Sequence, residues 1–155
     1  MTETNFQRPK LLECDFDTLT DRYGRFQAQP FERGYGVTVG NALRRILLSS
    51  ITGAAVTSLR IQGVLHEFST IPGVVEDVTD IILNLKSVPL KLSGDEPRRM
   101  TIKKTGPATV TAADIAHESE IEILDESVRV ASLDTDGTLE VEMVVKNGRG
   151  YVPAD

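Results

Sequence analysis

The feature that most constrains the fold is a series of short alternating runs between Ser87 and Lys146. Apolar and polar residues alternate within each run, and turn-forming stretches such as Ser93-Gly94-Asp95 separate the runs. Alternation with a period of two is typical of strands that are buried on one face. The sequence therefore predicts six strands, in the runs PLKL, RMTIKK, ATVTA, EIEIL, SVRVASL and TLEVEMVVK.

The amino-terminal segment predicts a β-hairpin. Leu12, Cys14 and Phe16 alternate with polar residues in LLECDF, TDRYG supplies a turn, and RFQAQPF alternates again. Further along, AVTSLRIQGV has the alternation of another strand. Both patterns are typical of half-buried strands.

A first helix is predicted within the stretch GYGVTVGNALRRILLSS, Gly34 to Ser50. Thr38 is the expected N-cap, and Thr52-Gly53 is expected to close the helix. At about 100° per residue, one face carries an apolar stripe. The residues of that stripe are Val39, Ala42, Leu43, Ile46, Leu47 and Ser50.

A second helix is predicted after the strand AVTSLRIQGV. Thr70, Pro72 and Gly73 mark its start, and Lys86 lies near its end, where the helix dipole favours a cation. Leu83 falls among polar residues. The expected buried stripe is Val74, Val75, Val78, Ile81, Ile82 and Leu85. With two early helices and a strand-rich second part, the predicted fold class is α+β.

Composition narrows the classes of function. A chain of 155 residues can build a hydrophobic core without disulfides or bound metal ions. Because Cys14 is the only cysteine, no internal disulfide can form. The net charge of −6 argues against a basic surface that binds nucleic acid across the whole domain, so no direct DNA contact is expected. No apolar run or leader pattern indicates a membrane or secreted protein, so we expect a soluble, cytoplasmic one.

No active site can be assembled from the residue pattern. His66 and His117 are the only histidines, and their spacing fits no zinc motif. Adjacent or alternating carboxylates are explained by a solvated face, and no serine or cysteine nucleophile can be assigned a base. We therefore expect no catalytic residue, no metal ligand and no cofactor.

The glycines of GYGVTVG raise one alternative, a small stand-alone nucleotide-binding enzyme. Gly34, Gly36 and Gly40 form GxGxxxG, one residue longer than the dinucleotide fingerprint. Arg60 stands where that fingerprint expects an acidic residue. The favoured interpretation is that these glycines shape a sharp backbone turn.

The face of the first helix opposite its apolar stripe predicts a protein interface. It carries Asn41, Arg44, Arg45 and Leu48, so one leucine stands between two guanidinium groups. A single exposed leucine is common on any surface. Arginines around a central apolar anchor, however, are enriched where proteins bind one another.

The stretch from Phe31 to Val88, which contains FERGYGVTVGNALRRILLSS, closely resembles the amino-terminal domain of the α subunit of bacterial and plastid DNA-directed RNA polymerase. TGPATVTAADI (Thr105 to Ile115) and GRGYVPA (Gly148 to Ala154) resemble the same family. The likeness covers nearly the whole chain and is weakest in the hairpin and between Leu92 and Lys104.

The resemblance implies a non-catalytic assembly subunit of a nucleotidyltransferase. In that family, two α subunits dimerise and recruit the β and β′ subunits, which carry the catalytic metal site. The implied domains are residues 1–52, the first half of a dimerisation domain, and residues 53–155, a β-rich inserted domain. The implied location is the bacterial cytosol or nucleoid, or the plastid stroma.

Residue roles follow from the resemblance by position. The implied β contact comprises Glu32, Arg33, Gly34, Asn41, Arg44, Arg45 and Leu48. The implied β′ contact comprises Asp80 and Lys86. The implied dimer contact comprises Val39, Leu43, Ile46, Leu47 and Ser50.

The family's chain continues beyond GRGYVPA, to complete the dimerisation domain and add a carboxy-terminal domain that binds promoter DNA. This sequence ends at Asp155. We therefore expect a fragment or the product of a truncated gene. An amphipathic helix without its packing partner exposes an apolar stripe, so dimerisation and the stability of residues 1–52 are expected to suffer.

Overall fold

The structure, a computed structural model, describes residues 7–153. Both helices and antiparallel strands are present, so the predicted α+β class is confirmed. The chain forms two compact units, the first ending at Ser50 and the second beginning at Ile51. The elements are β1 (Leu12–Cys14), β2 (Phe26–Ala28), α1 (Tyr35–Ser50), β3 (Thr52–Ile61), α2 (Val78–Ser87), β4 (Leu90–Leu92), β5 (Arg98–Thr105), β6 (Ala108–Thr111), β7 (Ile115–His117), β8 (Ile121–Ile123), β9 (Arg129–Leu133) and β10 (Thr138–Arg149).

The predicted amino-terminal hairpin is confirmed. Strands β1 and β2 pair antiparallel, with Leu12 opposite Ala28 and Cys14 opposite Phe26. Nearer the tip, the backbone N–H of Thr20 donates to the carbonyl of Tyr23 at 2.8 Å. Two short strands are marginally stable alone, so this hairpin depends on other packing.

The main sheet of the second unit has the strand order β3-β10-β5-β7. Strand β10 lies in the middle and pairs antiparallel with both neighbours, so that Val141 faces Ile61 on one side and Ile102 on the other. Two further ladders join β4 to β8 and β6 to β9. All six predicted strands after Ser87 are present, and β7 is a strand that the sequence analysis did not predict.

Strand β3 begins earlier than expected. Thr52 and Gly53 were predicted to close the first helix, but both belong to β3 and pair with Arg149 and Gly148 of β10. The closing role was wrong because these backbone groups hydrogen-bond in the sheet. The end of α1 at Ser50 is as predicted.

The hydrophobic core among the described residues lies in the second unit. Alternate residues of β10 are fully buried in this core, and α2 contributes one apolar face to it. Burial on alternate positions is what the period of a strand requires. The core members from these two elements are Val78, Ile81, Leu85, Leu139, Val141, Met143 and Val145.

Helix α2 starts later than the sequence predicted. It begins at Val78, and its N-cap is Asp77, whose carboxylate accepts a hydrogen bond from the backbone N–H of Asp80 at 2.7 Å. Val74 and Val75 lie before it, and the N–H of Val75 donates to the carbonyl of Ser132 at 3.0 Å. Their assignment to the helix's buried stripe was wrong, because their backbone is engaged by a turn and by β9.

Two glycines distant in sequence meet in the second unit. Gly73 has a φ of +74°, and a Cβ on it would lie 2.5 Å from the Cα of Gly137 and 2.7 Å from its nitrogen. The carbonyl of Gly73 accepts a hydrogen bond from the N–H of Asp134 at 2.9 Å. A side chain on Gly73 would therefore adopt a strained backbone conformation and also push the β9–β10 turn away.

One ion pair fastens the segment before α2 to β9. A carboxylate oxygen of Glu76 accepts from the guanidinium of Arg129 at 2.7 Å, and the other accepts from the N–H of Ser132 at 2.6 Å. Burial raises the pKa of Glu76, but the bonds from Ser132 and Arg129 outweigh it, so this pKa lies below its ordinary value of 4.5.

Replacing Gly73 by alanine should destabilise the second unit by about 2 kcal/mol or more, because strain and a backbone clash coincide. The measurement is thermal unfolding followed by far-UV circular dichroism. Gly148→Ala is the matched control, since a Cβ there would have no neighbour within 4 Å. Equal melting temperatures for the two variants would contradict the close approach.

The Glu76 carboxylate should make stability depend on pH in the acidic range. Its pKa is lowered on folding, so its stabilisation is present above its ordinary value of 4.5 and is lost as the pH falls through the folded-state value. In urea unfolding, the wild-type protein should therefore have a larger free energy of unfolding than Glu76→Gln at about pH 7. This difference should become smaller at about pH 3.5. A difference in free energy of unfolding that does not change with pH would contradict the role assigned to the Glu76 charge.

Candidate interaction surfaces

Helix α1 begins at a glycine turn, four residues earlier than predicted. Gly34 has a φ of +91°, and the N–H of the next residue, Tyr35, donates to the carbonyl of Glu32 at 3.0 Å. Thr38 is therefore not the N-cap. It lies inside the helix, where its hydroxyl donates to the carbonyl of Gly34 at 3.4 Å.

This geometry does not favour a nucleotide site at the glycines. A phosphate-binding loop places several glycine N–H groups ahead of a helix. Here only Gly34 precedes the helix, whereas Gly36 and Gly40 lie within α1. The prediction that all three glycines shape the turn is correct for Gly34 alone.

The apolar stripe of α1 is exposed along its length. No residue of this helix is buried. Leu43, Ile46 and Leu47 are 54%, 56% and 59% exposed, and Val39 and Ser50, which share their face, are exposed too. A stripe of this kind is normally covered in a folded protein. The dimer contact assigned to these residues stays a prediction.

The opposite face of α1 presents an apolar side chain between two cations. Leu48 is 63% exposed, and Asn41, Arg44 and Arg45 lie on the same face. Within residues 7–153, no hydrogen bond or ion pair engages either guanidinium. The charges and the leucine of this surface, which we call the Arg-Leu face, are thus open to a partner.

The three remaining residues of the implied β contact lie in the turn before α1. Glu32 is half-buried, and its carboxylate accepts a hydrogen bond from the N–H of Gln7 at 3.4 Å. Arg33 and Gly34 are exposed. The structure therefore brings the implied β contact together along one helix and the turn that starts it.

Asp80 and Lys86, the implied β′ contact, lie on the exposed side of α2. Both belong to the second unit and are exposed. Leu83, between them in sequence and 58% exposed, shares their side of the helix. This arrangement resembles the Arg-Leu face in placing one apolar side chain among charged ones, and its role stays a prediction.

An exposed apolar loop before α2 was missed by the sequence analysis. Leu65 is 98% exposed and Phe68 is 82% exposed. The loop is fastened to the first turn of α2, because the hydroxyl of Thr79 donates to the carbonyl of Glu67 at 2.9 Å. Residues 65–69 show neither helical nor strand periodicity, so no pattern in the sequence indicated an exposed apolar loop.

The two histidines occupy ordinary surface positions. A ring nitrogen of His117 lies 3.0 Å from the carbonyl oxygen of Glu118, and the carbonyl of His66 accepts from the hydroxyl of Ser69. In the part of the chain that the structure describes, no three His, Cys, Asp or Glu side chains are grouped to hold a metal ion. Across residues 7–153, neither helix has the length and apolar content of a bilayer-crossing helix.

Comparison with known proteins assigns the family. The family model described as RNA polymerase Rpb3/RpoA insert domain matches residues 59–155. The chain belongs to this family. The match covers most of the second unit, including strand β10 and helix α2, and it confirms the resemblance that the sequence indicated.

Curated relatives extend the similarity into the first unit. DNA-directed RNA polymerase subunit alpha of Geobacter metallireducens is 55% identical over 147 residues, which are 95% of this chain and 43% of that protein. The subunit alpha of Moorella thermoacetica is 57% identical over 149 residues, 96% of this chain and 47% of the relative. That of Alkaliphilus oremlandii is 49% identical over all 155 residues, 49% of the relative. The chain thus spans a little under half the length of these relatives.

Two glycine substitutions should affect α1 in opposite directions. Gly34→Ala should destabilise the start of the helix by about 1 kcal/mol, because a φ of +91° strains any residue with a Cβ. Gly40→Ala should stabilise the helix by up to about 1 kcal/mol, because alanine loses less backbone conformational entropy than glycine when the helix forms. A Cβ at position 40 would also meet nothing within 4 Å. Helical content and melting by circular dichroism test both, and equal signs would contradict the assigned helix start.

Proposed function

We propose that this chain is an assembly module of DNA-dependent RNA polymerase, which holds other subunits together and contributes no catalytic residue. The observation that carries the proposal is α1, a helix of 16 residues with no buried side chain and two chemically different exposed faces. A helix stabilised by tertiary packing needs a partner for its apolar face. The similarity to relatives named DNA-directed RNA polymerase subunit alpha supports a polymerase as the setting.

The apolar stripe of α1 is the proposed dimer contact. Val39, Leu43, Ile46 and Leu47 present apolar surface, and Ser50 ends the stripe with a small side chain. A two-fold interface uses the same patch on both subunits, and an uncharged apolar patch can pair with itself without charge repulsion. A second copy of this chain is therefore a suitable partner for this face.

The Arg-Leu face is the proposed contact with the polymerase β subunit. The two guanidinium groups, which have no ion pair within residues 7–153, repel a second copy of the same face, so this face suits a different, acidic partner. Arg44 and Arg45 can form paired hydrogen bonds with carboxylates, and Leu48 can fill an apolar pocket between them. The exposed side of α2 with Asp80 and Lys86 is the proposed contact with β′.

The remaining proposals concern nucleotide, cofactor and DNA binding and the location of the chain in the cell. Neither the family match nor the relatives support the alternative of a stand-alone nucleotide-binding enzyme. We propose no cofactor and no direct DNA contact for this chain, since its net charge of −6 does not attract phosphates. A bacterial polymerase works at the chromosome, so the cytoplasm is the proposed location.

Co-purification tests the assembly role directly. The tagged chain is mixed with the β subunit from the same genome, and the eluted complex is analysed by light scattering. We expect the β subunit to elute with this chain, and two copies of the chain with each β subunit would show that the apolar stripe of α1 pairs with itself. Failure of the wild-type chain to retain β would overturn the proposed function.

Arg45→Ala should weaken β binding by about 1 to 3 kcal/mol while leaving the fold intact, as expected for an arginine at an interface. Affinity is measured by titration with β, and folding by circular dichroism. Arg99→Ala is the matched control, because Arg99 is also exposed but lies on β5 in the second unit. A folded Arg45→Ala variant that binds β normally would remove Arg45 from the interface.

A further inference from the structure

The early start of α1 adds a residue to the Arg-Leu face. Because the helix begins at Tyr35, Val37 is helical. Val37 and Leu48 are eleven positions apart, which at about 100° per residue places them within about 20° of each other around the helix axis. Val37 is 71% exposed, more than Leu48.

Val37 completes a continuous row along the helix. The row consists of Val37, Asn41, Arg44 and Leu48. Their spacing of four, three and four positions is typical of a helix that binds in a groove through one face. At about 1.5 Å per residue, the two apolar ends of the row are about 16 Å apart. The row therefore has an apolar residue at each end and polar groups in the middle.

The charge and the restricted side-chain motion of this row indicate what kind of surface would bind it. Arg44 and Arg45 have no ion pair within the described residues, although the chain as a whole carries a net charge of −6. A complementary surface has carboxylates at its centre and an apolar pocket at either end. Val37 is β-branched and nearly fixed in one rotamer on a helix, so little side-chain freedom is lost when it is buried.

We propose that Val37 is a second apolar anchor of the β contact, so that the β subunit binds α1 over three helical turns through an acidic centre and two apolar pockets. This inference rests on the proposed function. It places the second apolar anchor about 16 Å from Leu48, nearer the amino-terminal end of the helix. It also predicts that affinity depends on the apolar character of position 37.

Two substitutions at Val37 separate burial from helix formation. Val37→Thr keeps the shape and β-branching but adds a hydroxyl, and should weaken β binding about tenfold because a buried hydroxyl without a partner is costly. Val37→Ile keeps the apolar surface and should bind within about twofold of wild type. Leu124→Ala, which trims an exposed leucine in the second unit, should leave the affinity unchanged.

The readouts are affinity for purified β subunit by calorimetry and self-association by sedimentation, both with the 155-residue chain. A wild-type chain that fails to bind β overturns the proposed function and this inference with it. A wild-type chain that binds, with Val37→Thr binding equally well, overturns the inference alone. A change in self-association with unchanged β affinity would assign Val37 to contact between copies and would likewise overturn it.

Discussion

The structure depends on the pairing of one central strand with two neighbours distant in sequence. Strand β10 hydrogen-bonds to β3 and to β5, and its alternate residues Leu139, Val141, Met143 and Val145 are fully buried. Because a shift of one residue would turn this apolar set to the other face, the buried side chains fix the register of the whole sheet. Helix α2 packs against the same core.

The first unit is organised on a different principle. Its helix has no buried residue, and its hairpin has only two strands. Neither element buries enough apolar surface to stabilise itself. The exposed stripe and the Arg-Leu face of α1 are therefore the surfaces for which partners are proposed. The same side chains that fail to build a core within the chain are those proposed to build an assembly.

Local patterns predicted those elements whose formation depends on nearby residues. The hairpin and the six alternating strands follow from periodicity and turn residues. Strand β7 was missed because its residues, Ile115–His117, do not alternate between apolar and polar side chains. The start of α2 was misplaced because the N–H of Val75 bonds to Ser132, a residue far along the chain. Such pairings leave no periodic trace in the sequence.

The sequence by itself determined the chemistry of the candidate surfaces. The spacing of Arg44, Arg45 and Leu48 puts them on one helix face whatever else the chain does, because helical geometry is local. The tertiary structure decided which surfaces stay exposed, which glycines meet, and where each helix begins. Burial and the approach of Gly73 to Gly137 depend on contacts between segments far apart in sequence, and only the folded chain brings those segments together.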